Sequence, residues 1–259
     1  MRRPRLALGL LFIAVLFSSG CTAPYLARRQ VDRIVGPGAI DEIDIVNASG
    51  NVTLNAVDTQ GVTVRERIYA WGPDQSTAEA RAAGIDLDIH QVGRRLIVRP
   101  VLPDDLAMYS LDLDLNVPAT LRRVQIRVED GEIALKGGSA ELDLAVDNGR
   151  IIAQPARWEG SSRLSVGRGS LVLGGRFDGF GAVRAAIDYG SIEVRPHWLS
   201  DAEITADTDR GQVTYTATSP GELKVSDRSA THAVFTVGLG FAHLDVRAHE
   251  GNIHVALAS

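Results

Sequence analysis

The sequence predicts an all-β fold, a single-domain β-solenoid with coils of about 20 residues and one short helical insertion. Three observations lead there. A phrase recurs in which apolar residues alternate, a polar pair follows, and a glycine precedes two more apolar residues spaced by one. It reads IRVEDGEIAL around Gly131, LAVDNGRIIA around Gly149, LSVGRGSLVL around Gly169, AAIDYGSIEV around Gly190 and ADTDRGQVTY around Gly211. These glycines stand 18, 20, 21 and 21 residues apart, and a further copy, VRAHEGNIHV around Gly251, lies 40 residues on, or two periods.

The second observation is that apolar positions coincide between copies. Five residues before the glycine stand Ile126, Leu144, Leu164, Ala185, Ala206 and Val246, and three before it Val128, Val146, Val166, Ile187, Thr208 and Ala248. Two after it stand Ile133, Ile151, Leu171, Ile192, Val213 and Ile253, and four after it Leu135, Ala153, Leu173, Val194, Tyr215 and Val255. Alternate residues of a strand share a face, so stacked copies make these columns inward ladders. The third observation is the glycine itself, placed where each strand must turn and positive φ would burden any other residue.

In chain order, residues 1–20 read as an export signal. Arg2, Arg3 and Arg5 precede a twelve-residue apolar run, Leu6 to Phe17, too short to span a bilayer as a helix, and Ser18, Ser19 and Gly20 lead to the only cysteine, Cys21. The order Ser-Ser-Gly-Cys resembles the lipobox of bacterial lipoproteins, which implies lipidation of Cys21 as the first mature residue. Ser18 departs from the usual leucine, and Ser18 with Gly20 also suits ordinary signal peptidase, which would leave a free thiol. Two or three acyl chains would anchor the chain firmly. Removing residues 1–20 takes away three arginines and no acids, so 27 Lys plus Arg against 32 Asp plus Glu becomes 24 against 32, a net charge of −8. That balance argues against nucleic acid as a partner. With one cysteine, no disulfide forms within the chain.

Residues 21–38, with Pro24, Pro37 and Gly38, read as a tether, and 39–259 as the solenoid, irregular over 39–118 and regular over 119–259. IDIVNASGNVTL is a looser copy around Gly50, and Val62 to Tyr69 alternates as a strand. Ser76-Thr77-Ala78-Glu79 is a capping-box pattern closed by Gly84, which predicts a two-turn helix. Ile85, Leu87 and Ile89, a turn at Gly93-Arg94 and a strand from Leu96 to Arg99 make a hairpin. The insertion between Gly50 and Gly131 replaces regular coils and caps the open end of the stack. Leu111 to Pro118, LDLDLNVP, is the cleanest alternation, with Asp112, Asp114 and Asn116 outward. Between Gly211 and Gly251 one coil is expected over Pro220 to Leu239, with Arg228 in the glycine's place and its corner distorted. The last strands, FAHLDVRA and NIHVALA, leave a final edge with no visible protection.

The run LDLDLNVPATLRRVQIRVEDGEIAL followed by LDLAVDNGRI resembles the putative-adhesin family of bacterial envelope proteins, a domain of unknown function. The resemblance covers Ile40 to the C-terminus. It implies a single-sheeted, right-handed β-solenoid outside the cytoplasm and carries over no catalytic or binding residues.

Candidate chemistry is weighed against plainer readings. Glu129, Asp147, Asp188 and Asp209 stand two before their glycines, with Gly167 breaking the row. They form either a cation strip or, as favoured here, acids accepting turn N–H groups. His232, His243, His249 and His254 crowd the C-terminus without a tight ligand spacing, so no metal site is expected. Asp86 with Asp88, and Asp112 with Asp114, are outward pairs on strands and read as solvated faces rather than acid–base pairs. Trp158 and Trp198 fall 9 and 8 residues after Gly149 and Gly190 and read as corner packing over a sugar-stacking platform. GSLVLGGRFDGFG opens no helix and is no phosphate loop.

The expectation is therefore no catalytic residues, no cofactor and no metal, with Cys21 as the one modification site. The chain reads as a non-catalytic, outer-membrane lipoprotein, periplasmic or surface-facing, that meets the membrane through its lipid and presents a solenoid face to an envelope protein or glycan. The alternative is a glycan-binding or glycan-cleaving β-helix, for which acids and arginines would have to converge in one groove. A third class, an envelope-assembly factor holding an apolar ligand, is disfavoured by inward columns filled with Val, Ile and Leu.

Overall fold

The computed structural model describes residues 24–36, 39–104, 108–177, 179, 181–217 and 223–257. Cys21, the apolar run before it and Pro220 lie outside these residues. In chain order the elements are β1 (Tyr25–Val35), β2 (Glu42–Ser49), β3 (Val52–Val57), β4 (Val62–Gly72), α1 (Gln75–Gly84), β5 (Asp86–Val92), β6 (Arg95–Val101) and β7 (Tyr109–Pro118). There follow β8 (Arg123–Lys136), β9 (Ser139–Gln154), β10 (Arg157–Trp158), β11 (Ser161–Phe177), β12 (Ala182–Pro196), β13 (Ala202–Arg210), β14 (Val213–Ala217), β15 (Leu223–Arg228), β16 (His232–Val237) and β17 (Ala242–Leu257). The fold is all-β with one helix, and the strands join in one sheet that does not close on itself.

Each long strand carries its glycine in the middle, and the parallel registers keep glycine opposite glycine. Gly131 pairs with Gly149, Gly149 with Gly169, and Gly169 with Gly190. The apolar columns align with them, as in Ile126 opposite Leu144 and Leu144 opposite Leu164. Every residue of the four columns is buried except Tyr215, which is 37% exposed. The glycines are needed for two reasons. Gly149, Gly169 and Gly190 have φ near +140°, and a Cβ on any of them would overlap the carbonyl oxygen of the glycine in the strand beneath. The period in the sequence is thus a close backbone-to-backbone approach repeated from unit to unit.

The Gly50 unit continues the stack directly. Ile45 lies opposite Ile126 and Val52 opposite Ile133, so the residues between Gly50 and Gly131 sit outside this pair of strands instead of between them. There β6 runs parallel to the first half of the unit and β7 parallel to the second, β4 pairs antiparallel with β7, and β5 forms the expected hairpin with β6. The helix begins one residue before the capping box. Its N-cap is Asp74, whose carboxylate accepts the Thr77 N–H at 2.7 Å, and Ala78 and Ala82 face the core.

Three expectations are corrected. Residues 25–35, read as part of a tether, form β1, antiparallel to β4 along its whole length. Arg29 and Arg33 occupy alternating positions of that strand, which hid its pattern. Arg33 pairs with Glu66, a fully buried carboxylate on β4, and with Asp86 on β5. Second, residues 223–237 form no coil: β15 and β16 are an antiparallel hairpin, with β16 antiparallel to β13. Arg228 ends β15 with its guanidinium 5.1 Å from the Tyr215 ring and stands at no glycine-type corner. Third, spatial order departs from sequence order. β17 lies between β12 on one side and β13 with β14 on the other, so Gly251 pairs with Gly190 and the final strand is not an edge.

Candidate functional site

Outward positions of the parallel strands alternate with the buried columns, so side chains from successive units stand side by side about 4.8 Å apart. Six residues before each glycine the order through the stack is Gln125, Asp143, Arg163, Arg184 and Asp245. Eight before it stand Arg123, Glu141, Ser161 and Ala182. Where the small Ser161 and Ala182 meet the long arginines a groove of about 330 Å³ opens, walled by Arg163 and Arg184 with Arg123, Glu141 and Asp143 at one end. Beneath it Ser162 is buried and its Oγ accepts the Leu142 N–H at 3.1 Å, which ties neighbouring strands together under the groove.

The electrostatics of the groove are unbalanced at one place. Arg163 and Arg184 are exposed register partners. Asp143 turns to Gln125 at 3.1 Å and lies 3.9 Å from Arg127, while Asp245 takes Arg247 at 3.3 Å. Among the described residues neither Arg163 nor Arg184 has an ion-pair, hydrogen-bond or ring partner, whereas Arg123 approaches Glu141 at 3.7 Å and Arg195 meets Glu193 at 2.7 Å. A second, larger groove near Arg65 and Asp114 differs in this respect, because Arg65 pairs with Asp32 and Arg67 with Asp114.

The residues singled out from the sequence do not assemble into a site. The acid row is interrupted by His249, which the insertion of β17 brings beside Asp209 at 2.8 Å. Among the described residues Glu129, Asp147 and Asp188 accept no backbone N–H, so glycine geometry and not acid capping makes the turns. Asp86 accepts the Leu87 N–H and pairs with Arg33, while Asp88 meets His90 at 3.1 Å. Asp112 accepts the Asn51 N–H at 2.9 Å and Asp114 takes Arg67 at 2.7 Å, so neither pair works as a unit. His232 bonds Asp207 at 2.6 Å, His243 lies 3.7 Å from Glu203 and His254 bonds Thr214 at 3.0 Å. The four histidines are thus spread among separate partners. Trp158 is buried, stacks on Phe177 at 5.2 Å and donates to the Gly174 carbonyl at 2.8 Å, whereas Trp198 is 55% exposed. The two tryptophans form no common platform.

The arginine pair was missed, although its signal was present. Both residues stand six before a glycine in consecutive copies of the repeat.

No protein-family profile matches the chain, and no curated protein matches it significantly. Similar solved structures are bacterial proteins. A putative cell adhesion protein from Clostridium sporogenes is 9% identical, with 90% of this chain and 100% of that chain covered and a TM-score of 0.48. A putative adhesin from Bacteroides fragilis is 11% identical, with 88% and 97% covered and a TM-score of 0.35. A putative lipid binding protein from Parabacteroides distasonis is 12% identical, with 89% and 97% covered and a TM-score of 0.26.

Proposed function

We propose that this chain is a non-catalytic module of the bacterial cell envelope, a right-handed β-solenoid of the putative-adhesin kind that presents its outer face to an envelope protein or glycan. Residues 1–20 export it, and lipid on Cys21 holds it at the outer membrane. The observation that carries the reading is the groove over β8, β9, β11 and β12, where Arg123, Glu141, Asp143, Arg163 and Arg184 converge on strands locked by their glycines. Its carboxylates are held by Gln125, Arg127 and Arg123 rather than placed as an acid–base couple, which suits recognition better than bond cleavage. The filled inward columns leave binding to the outside.

The test is co-sedimentation of the full chain with isolated envelope fractions. Ser161→Trp fills the groove from an exposed position, and Thr53→Trp alters an outward position on β3 as a control. Sedimentation lost in the first variant and kept in the second supports the reading. Wild type failing to sediment, or both variants behaving like it, overturns it.

A further inference from the structure

We infer that this groove binds an acidic saccharide, gripping a carboxylate between Arg163 and Arg184. The inference rests on the presentation role proposed above and names its ligand. Like charges directly opposite on neighbouring strands repel, and ordinarily a carboxylate of the protein relieves them. Here the flanking register partners, Asp143 and Asp245, turn to Gln125 and Arg247, so among the described residues no carboxylate makes an ion-pair contact with either arginine. Guanidinium groups match a planar carboxylate in a bidentate fork, and the strand spacing of about 4.8 Å lets one anion reach both.

The surroundings narrow the class. Glu141 and Asp143 stand at one end of the groove, where they repel a compact dianion such as phosphate but accept hydrogen bonds from hydroxyls. Ser161 adds an exposed hydroxyl beside the arginines. No aromatic residue lines the groove, so a sugar is held by its hydroxyls and its charge rather than by stacking. A molecule with one carboxylate set among hydroxyls, as in a uronic acid, satisfies all of these groups together.

Isothermal titration calorimetry on the full chain in detergent tests this with three probes: oligogalacturonate, a neutral galactose oligomer and inorganic phosphate. Oligogalacturonate alone should bind, with affinity falling as salt rises. Arg163→Gln and Arg184→Gln should each weaken it by about tenfold or more. Both variants should melt at or above the wild-type temperature, because each removes a repulsion, which separates lost binding from lost folding. No binding of oligogalacturonate, equal binding by the double variant, or equal binding of the neutral oligomer or phosphate overturns the assignment. If groove-dependent envelope sedimentation persists in excess oligogalacturonate, the ligand class is wrong while the presentation role stands. If sedimentation is absent as well, both fall.

Discussion

Gly251 lies directly opposite Gly190 in parallel strands, and a Cβ on Gly251 would overlap the Gly190 carbonyl oxygen. Gly211, which comes between them in sequence, lies on the far side of Gly251. The same contact recurs at Gly149 on Gly131. Gly149→Val and Gly251→Val should each cost about 3 kcal/mol or more, from positive φ and from backbone overlap. Arg228→Gly should bring no gain and a small loss, since it only removes the Tyr215 contact. Denaturant midpoints check this, and wild-type midpoints for the glycine variants would refute the stacking.

Val146 is 1% exposed in an inward column, whereas Asp143 is outward on the same strand. Val146→Asp buries an unpaired carboxylate and should destabilise by about 4 kcal/mol or more. Asp143→Ala should change stability by only about 0.5 kcal/mol. Equal melting temperatures for the two would contradict the assigned faces.

Glu66 is held on β4 with no exposed surface. Burial pushes its carboxyl above the usual range, Arg33 opposes that shift, and Asp86 and Arg29 face it as well. A raised folded value means that the folded state binds the extra proton, so the stability linked to Glu66 is full at acidic pH and is lost as pH rises through that value. Arg33→Ala removes the main compensating charge. It should cost about 3 kcal/mol at neutral pH, and the deficit should shrink as pH falls and Glu66 takes a proton. Melting curves at several pH values decide; a deficit that grows on acidification would count against it.

Because β17 pairs on both sides, removing everything after residue 240 takes one strand from the interior of the stack. A chain ending at residue 240 should fail to unfold cooperatively, whereas loss of a terminal repeat would only trim a repeat array. A cooperative melt within about 5 °C of wild type would show that the paired edges of β12 and β13 are dispensable.

Cys21 should carry acyl chains at the mature N-terminus, and the protein should fractionate with the outer membrane because Thr22 replaces the aspartate that retains many lipoproteins at the inner one. Mass spectrometry finding an unmodified thiol there would refute this.

The sequence made the buried columns and corner glycines legible because each ladder repeats one residue class at one spacing. Ile126, Leu144 and Leu164 announce one another. The position of β17 was hidden because Gly251 follows Gly211 by two periods, which mimics an absent coil, while the intervening hairpin carries no periodicity of its own. β1 was hidden by Arg29 and Arg33, placed where a strand read by hydropathy would carry apolar residues. The groove was hard to see for a related reason: outward residues obey no hydropathy rule, and only knowledge of the register makes Arg163 and Arg184 neighbours.

The insertion of β17 has a kinetic consequence. β17 follows β13 to β16 in the chain yet enters the sheet between them and β12, so the segment from β13 to β16 has to wait with one side of its pairing unmet. Closure of the loop from Gly190 to Gly251 is a long-range event, of the sort that slows folding in proportion to contact order. Folding cannot proceed strand by strand in the order of the chain. The sheet stays incomplete until β17 has been added, and during that interval the edges of β12 and β13 are open to pairing with other chains.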